Sequence, residues 1–360
     1  MLRRLLHNLL TIINITLALG LIVCYLSVHI SPARMWMPAL VALAYPILLV
    51  LNLGFMVYWV LRWKPEILIS LVTILLGFNH IRNTVRIPLR SNPSGPATIN
   101  LMSYNCNMFG LYQWNSKHPV PRPIMALAAE GKHNVVCFQE FYTRRGQFTD
   151  RDARSLLGDM NAHILYHKGG TEGLGMATFS SYPIVGRGEL RFEGTYNACI
   201  YTDLVVGADT VRVYNVHLQS IRLQEHHLQF LHGDKTMETP EAGYAEAKDI
   251  VGRLRGAFIK RATQADTIAA HARRSPYPVI ICGDFNDPPT SYSYRQLAKG
   301  RRDAFAEAGR GVVSTYRKLR FALRIDHILY DAQRLQAVGY SCPKTELSDH
   351  YPVTSTLQLR

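Results

Sequence analysis

Val279-Ile280-Ile281-Cys282-Gly283-Asp284-Phe285-Asn286-Asp287-Pro288 is the stretch on which the reading of this chain turns. Four apolar residues followed by Gly-Asp-Phe-Asn-Asp-Pro predict a buried strand that stops abruptly. Such a strand fixes its backbone, while the loop after it leaves polar side chains free to reach a ligand. Asp284 and Asn286 at that tip form either an active-site pair or an ordinary turn, because both residue types favour turns. The remainder of the chain separates these alternatives.

The 360 residues carry a net charge of +14, distributed over two unlike parts. Residues 1–96 contain 8 Lys/Arg and 1 Asp/Glu among mostly aliphatic and aromatic residues, and residues 97–360 contain 32 and 25. Each part therefore holds +7, which for the larger one is a mild excess, compatible with an anionic substrate without requiring one. The cysteines Cys24, Cys106, Cys137, Cys199, Cys282 and Cys342 form no CxxC pair and no metal-finger spacing, so no disulfide framework is implied. Cys106, Cys137 and Cys282 sit in apolar runs, where a thiol acts as a small hydrophobe.

Residues 9–30 lack any charge and are long enough to cross a hydrocarbon core of about 30 Å. Residues 37–61 form a second uncharged run containing Pro38, Pro46 and Gly54, which membrane helices tolerate. A third and weaker run, 66–81, ends in Asn79-His80. Trp36, Tyr58, Trp59 and Trp63 lie near the proposed ends, as an interfacial aromatic belt requires. A cleaved signal peptide explains only the first run. The expectation is a membrane anchor over 1–87, a Pro/Gly/Ser linker over 88–97, and a second domain over 98–360. Arg3, Arg4, Arg62 and Lys64 favour a cytoplasmic N-terminus. Three crossings then put the second domain in the periplasm, anchored in a bacterial inner membrane, whereas Arg82, Arg86 and Arg90 pull the other way. The spans carry no charge that would mark a transport pathway, so a plain anchor is preferred.

From Thr98 onward the texture changes to short strands and loops. Strands are predicted at 98–104, 134–138, 173–179, 182–185, 199–206, 211–216 and 279–282, with a last one after Ser348-Asp349-His350. Helices are predicted at 123–130, 153–160 and 291–299, and through much of 221–273, where Arg253, Arg255, Lys260 and Arg261 read as a solvated face. Few helices separate the strands and there is no glycine-rich first turn, which argues against a Rossmann-type parallel sheet and for two packed sheets flanked by helices.

Several strand ends carry acid, amide or imidazole groups: Asn105 and Asn107, Glu140, His217, Asp284 and Asn286, Asp326, and Asp349-His350. Each alone reads as a turn, a cap or a core histidine. In this order, Ser103-Tyr104-Asn105, Phe138-Gln139-Glu140, Asn215-Val216-His217-Leu218, Gly283-Asp284-Phe285-Asn286, Arg324-Ile325-Asp326-His327-Ile328 and Ser348-Asp349-His350-Tyr351-Pro352-Val353 resemble the endonuclease/exonuclease/phosphatase superfamily, the deoxyribonuclease- and sphingomyelinase-like metal-dependent phosphoesterases. The resemblance covers 98–360 and implies an α/β (α+β) fold, a four-layered sandwich of two packed mixed β-sheets flanked by helices, here preceded by two or three transmembrane helices.

The resemblance also implies roles. Glu140, Asn105 and Asp349 are the metal ligands, directly or through water, for Mg²⁺ with Mn²⁺ as its substitute. Asp284 orients or deprotonates the attacking water, and Asn286, Asn107 and His217 contact phosphate. His350 is paired with Asp326 as base or phosphate clamp, and His217 assists the leaving group. Hard oxygen donors suit Mg²⁺, and phosphoester hydrolysis needs an in-line water and compensation of charge on the phosphate. Abasic-site enzymes carry an acid where this chain has Asn107 and an Asp/Asn pair where it has His217, so the resemblance shifts toward the sphingomyelinase-like and general phosphodiesterase branch. The implied function is a membrane-anchored, nuclease-type phosphodiesterase. Phospholipid, sphingomyelin or inositol-phosphate hydrolysis is the alternative, and an inactive binding module the alternative from another class. The implied partners are a phosphoester substrate (nucleic acid, phospholipid or headgroup) and membrane lipid around the N-terminal helices, with no obligate protein partner.

Overall fold

The computed structural model describes residues 1–86, 98–113, 121–234 and 239–360, so the expected linker at 88–97 lies outside the described residues. The N-terminal part is helical: α1 (Leu2–Ser27), α2 (Met37–Leu43), α3 (Tyr45–Leu61), α4 (Ile67–Leu76) and α5 (Phe78–Thr84). α1 is by itself long and apolar enough to cross a membrane. α2 and α3 meet at 60° and α4 and α5 at 67°, so the number reaches three if each bent pair is one span. The expected runs 37–61 and 66–81 are thus bent pairs. Pro46 opens α3 where its missing N–H costs nothing, and the second bend falls at Gly77.

Polar side chains knit this bundle internally. Trp59 Nε1 donates to Asn14 Oδ1 at 2.9 Å, Asn14 Nδ2 to Ser70 Oγ at 2.7 Å, and Ser70 Oγ to Asn52 Oδ1 at 3.1 Å. Leu9, Ile12, Leu19, Ile47, Val50, Val57 and Val72 face outward. His7 contacts Glu66 at one end of the bundle, and Tyr25 stacks on His80 toward the other. At that second end Arg86 donates to the Glu307 carbonyl at 3.2 Å and Arg324 to the Asn83 carbonyl at 2.8 Å, joining the bundle to the rest of the chain.

The second part contains β1 (Val85–Arg86), β2 (Thr98–Asn105), α6 (Pro121–Glu130), β3 (Val135–Thr143), α7 (Asp150–Leu156), β4 (Asn161–Tyr166), β5 (Gly173–Ser180), β6 (Ile184–Arg191), β7 (Ala198–Val206) and β8 (Asp209–His217). It continues through α8 (Glu225–His232), α9 (Pro240–Ala272), β9 (Val279–Asp284), α10 (Tyr292–Ala298), β10 (Arg302–Asp303), α11 (Ala304–Ala308), β11 (Gly311–Val312), β12 (Asp326–Tyr330), β13 (Leu335–Ser341) and β14 (Val353–Leu359). Two six-stranded mixed sheets result, β10-β12-β9-β8-β7-β6 and β13-β14-β2-β3-β5-β4. Ile99, Leu101, Val213, Ile280, Ile328 and Leu357 pack between them. Outside one sheet lie α6 and α7, over Met102, Phe138 and Phe179. Outside the other lie α9 and α10, over Tyr214, Val216 and Ile281. This is the expected four-layered arrangement.

Register brings the chemistry to one rim. His217 lies opposite Asp284 across the parallel β8–β9 pair, and Asp284 lies opposite Asp326 across the antiparallel β9–β12 pair. In the other sheet Asn105 sits beside Gln139 on the parallel β2–β3 pair, and β14 runs antiparallel to β2 just after His350. One expectation is corrected here: β3 does not end at Glu140 but continues to Thr143, with a register shift between Phe138 and Phe141. Glu140 occupies the bulge in the left-handed region, at φ 52°. A bulge re-aims a side chain without ending the strand.

Candidate active site

Asp284 ends β9 with 1% of its surface exposed and is the point on which the rim converges. Its Oδ2 accepts from Asn105 Nδ2 at 3.0 Å and from Asn286 Nδ2 at 3.0 Å, and its Oδ1 from the Asn286 backbone N–H at 2.8 Å. The same Oδ2 lies 3.7 Å from His217 Nε2 and 3.7 Å from His350 Nε2. Burial pushes this carboxyl up to about 6, against the pull of His350.

Gly283 makes that position attainable. Its φ is +140°, and a Cβ there would fall 1.9 Å from the Val216 carbonyl oxygen. Only glycine lets β8 and β9 approach so closely. Asn286 follows at φ 53° and also donates to the Leu218 carbonyl at 3.0 Å. Its amide nitrogen thus donates to Asp284 and to the Leu218 carbonyl.

His350 Nδ1 is 2.9 Å from Asp326 Oδ2, and both side chains are buried. Burial opposes charge on the ring, but Asp326 and then Asp284 overcome it and raise the imidazole to about 10. Tyr316 packs edge-on against the ring with centroids 5.1 Å apart. Thr315 Oγ1 accepts from the Asp326 N–H at 3.1 Å and fixes the start of β12. His217 is held below the usual imidazole range, chiefly by burial, and its buried Nε2 has no hydrogen-bond partner among the described residues.

Across the rim, Glu140 keeps about a quarter of its side chain exposed and accepts from Asn105 Nδ2 at 3.2 Å. Burial in the groove, and after it Asp349, raises its carboxyl above the usual range. Asp349 meets Lys318 Nζ at 3.1 Å. Ser348 Oγ donates to the Asn105 carbonyl at 2.8 Å, which locks the 348–350 turn to the end of β2. Asn107, at φ 46°, donates its backbone N–H to Asn105 Oδ1 and lines with Lys318, Arg317 and Asp349 a groove of about 500 Å³.

All the singled-out residues thus share one rim. Asn105 turns its amide nitrogen to Glu140 and Asp284 and accepts at its oxygen from the Asn107 N–H. Asp284, Asp326 and His350 place three donor atoms within 4.8 Å of one another. Asp326 is nevertheless bound to His350, whose charged form repels a cation. The partly open, mutually repelling carboxylates Glu140 and Asp349 fit a hard divalent cation better.

The sequence did not single out Lys318, Tyr316 or Gln139. Gln139 Nε2 donates to Asn215 Oδ1 at 2.7 Å and Asn215 Nδ2 to the Phe138 carbonyl at 3.1 Å, joining the two sheets beneath the rim. Arg261, expected on a solvated face, is 1% exposed; it pairs with Asp287 at 2.9 Å and donates to the Gln219 carbonyl at 2.9 Å.

Residues 102–350 match the model of the Endonuclease/Exonuclease/phosphatase family. The chain belongs to this family. Its members hydrolyse phosphoester bonds, and this chain is a hydrolase of that type. Residues 7–84 match a domain of unknown function. No curated protein matches the chain. Among solved structures, the human nocturnin catalytic domain with bound sulfate is similar at 15% identity and a TM-score of 0.51, covering 76% of this chain and 97% of that one. A family protein from Bacteroides thetaiotaomicron is similar at 16% identity and a TM-score of 0.50, covering 73% and 98%. D. rerio TDP2, humanized by 14 mutations, is similar at 13% identity and a TM-score of 0.50, covering 73% and 100%. At these identities the likeness establishes the fold.

Proposed function

We propose that the chain is a divalent-metal-dependent phosphodiesterase held in a membrane by residues 1–87, with residues 98–360 as the catalytic domain. The observation that carries this reading is the Asp326–His350–Asp284 line, joined to Glu140 through Asn105, with Asp349 next to His350 in the chain. Asp284, its carboxyl raised by burial to about 6, is suited to take the proton of an attacking water, and Asn105 and Asn286 hold its carboxylate in place. His350, kept charged by Asp326, is suited to clamp a phosphate oxygen as negative charge grows there. The unpartnered Nε2 of His217 is suited to a second phosphate contact. Lys318, 3.1 Å from Asp349, would be available for the same purpose with a cation on that carboxylate. Mg²⁺ held by Glu140 and Asp349 would supply positive charge beside the phosphate.

The bundle supports an odd number of crossings. His7 and Glu66 lie at the end away from the catalytic part, whereas Tyr25, His80 and Arg86 lie at the near end. With Arg3, Arg4, Arg62 and Lys64 at the cytoplasmic face, the groove opens on the opposite, periplasmic side.

The test uses the full chain in lipid nanodiscs with bis(p-nitrophenyl) phosphate and plasmid DNA as substrates. Mg²⁺-dependent hydrolysis is expected, abolished by EDTA and restored by Mg²⁺ or Mn²⁺. Glu140→Ala and His350→Ala are each expected to lower kcat at least about 100-fold. Activity surviving either substitution overturns the assignment.

A further inference from the structure

A cavity of about 200 Å³ lies between the helical bundle and the catalytic domain. Ala42 and Tyr45, at the α2–α3 bend, form one wall; Ile221, Leu254, Pro288 and Phe321 form the others. Apart from two threonines and Arg324, which is already bound to Asp303 and His327, its lining is aliphatic and aromatic. An apolar cavity of comparable size, about 150 Å³, stays dry and takes hydrocarbon ligands. A void without partner atoms forfeits dispersion contacts along its whole lining. The cavity is therefore built for an apolar occupant.

Two further features say which one. The walls contributed by the catalytic domain come from the segments that carry its site: Ile221 lies four residues after His217, Pro288 two residues after Asn286, and Leu323, also in the lining, three residues before Asp326. The remaining wall belongs to the helices whose outward faces are leucine, isoleucine and valine. The cavity thus lies between a surface suited to lipid and the loops that carry the phosphoester chemistry.

We infer that this cavity seats the hydrocarbon tail of a membrane lipid whose phosphoester is the substrate of the Asp284–His350 site. The inference rests on the phosphodiesterase reading and narrows it: tail and phosphate are recognised together, the tail by a pocket that the catalytic domain completes only with its own membrane helices. Hydrolysis itself is unchanged. Water adds at phosphorus, the bond to the leaving oxygen breaks, and that oxygen departs with a proton.

The test compares methyl and dodecyl p-nitrophenyl phosphate on the full chain in nanodiscs, for the natural sequence and for Ala322→Trp and Leu254→Trp. Ala322 is exposed at the cavity lining and Leu254 is half-buried on α9, and neither belongs to the catalytic set. KM is expected to fall about fourfold for each methylene seated in the pocket, up to the number it holds. Both tryptophan variants are expected to erase this advantage while leaving turnover of the methyl ester unchanged. Turnover of the methyl ester with no chain-length effect, or an effect that persists in both variants, overturns the tail pocket and leaves the phosphodiesterase reading standing. Failure to turn over either ester overturns that reading instead. A second readout, independent of turnover, is photolabelling by dodecyl phosphate carrying a terminal diazirine. Label is expected on peptides 250–254 and 288–290 and lost in Ala322→Trp. Label confined to the outer faces of the helices overturns the proposal.

Discussion

Asp326 shows how far a single charge reaches in this site. Its carboxylate fixes the His350 tautomer through Nδ1 and sustains the ring's charge. Asp326→Asn keeps the shape but removes the charge and reverses the hydrogen-bond demand on Nδ1. We expect kcat to fall by about 10²–10⁴-fold with little change in melting temperature, as for an Asp-to-Asn change beside a catalytic histidine. Gly283 carries a steric requirement of comparable consequence. Gly283→Ala drives a Cβ into the Val216 carbonyl and is expected to cost more than ~2 kcal/mol, read as a lowered melting temperature. His327 sets a pH limit. It is fully buried, accepts from Arg324 at Nδ1 (2.8 Å) and donates from Nε2 to the Asp287 carbonyl (2.9 Å). Burial, and then Arg324, depress it to about 3. Between the ordinary histidine pKa near 6.5 and about 3, the unfolded chain takes up a proton that the folded chain refuses. Stability is therefore complete above pH 6.5 and declines as pH falls toward 3. Melting temperature measured across that window should drop less steeply in His327→Gln.

Among the elements, α9 and β3 matter most to the rim. α9 is a 33-residue helix whose Arg261 reaches under the 284–288 loop to Asp287 and the Gln219 carbonyl. A buried charge whose partner is removed is costlier than an apolar replacement of the pair. Arg261→Met is therefore expected to destabilise by ~3–5 kcal/mol, and Arg261→Met/Asp287→Leu by less, in matched denaturation curves. The β3 bulge aims Glu140 at Asn105 while Gln139 stays between the sheets on Asn215. The apolar run Val135–Phe138 announces the strand, and nothing in it announces the bulge. The left-handed φ at Glu140 is imposed by the pairing with β5.

At the scale of the molecule, the helical bundle completes the catalytic domain. Asn83 supplies a carbonyl to buried Arg324, which also binds Asp303 on β10 and His327 on β12, next to Asp326. β1 pairs with β11 at the same junction. A chain beginning at residue 97 leaves Arg324 without that acceptor, removes the Val85 partner of Val312 and opens the 200 Å³ cavity to water. Such a chain is expected to melt lower than the full chain and to associate in the absence of detergent, as measured by thermal denaturation and light scattering.

The strand ends could be read directly because the chemistry is written in contiguous residues. Gly283-Asp284-Phe285-Asn286 and Ser348-Asp349-His350 each combine a backbone requirement with reactive groups, and the apolar runs beside them mark strands. The charge-free run 9–30 likewise announces a helix suited to a membrane, because length and polarity are local properties. Which side chains serve each other was decided only when the two sheets closed. Arg261 looks like a solvated cation until α9 packs against the loop of Asp287. Lys318 and Tyr316 acquire meaning only when their loop folds beside Asp349 and His350. Asn105 meets the carboxylates of Glu140 and Asp284 only once β3 and β9 flank it. The cavity, whose walls come from residues 42 to 324, has no counterpart in any single stretch of sequence. Periodicity and motif report what a segment is; burial and partnership depend on contacts between segments far apart in the chain.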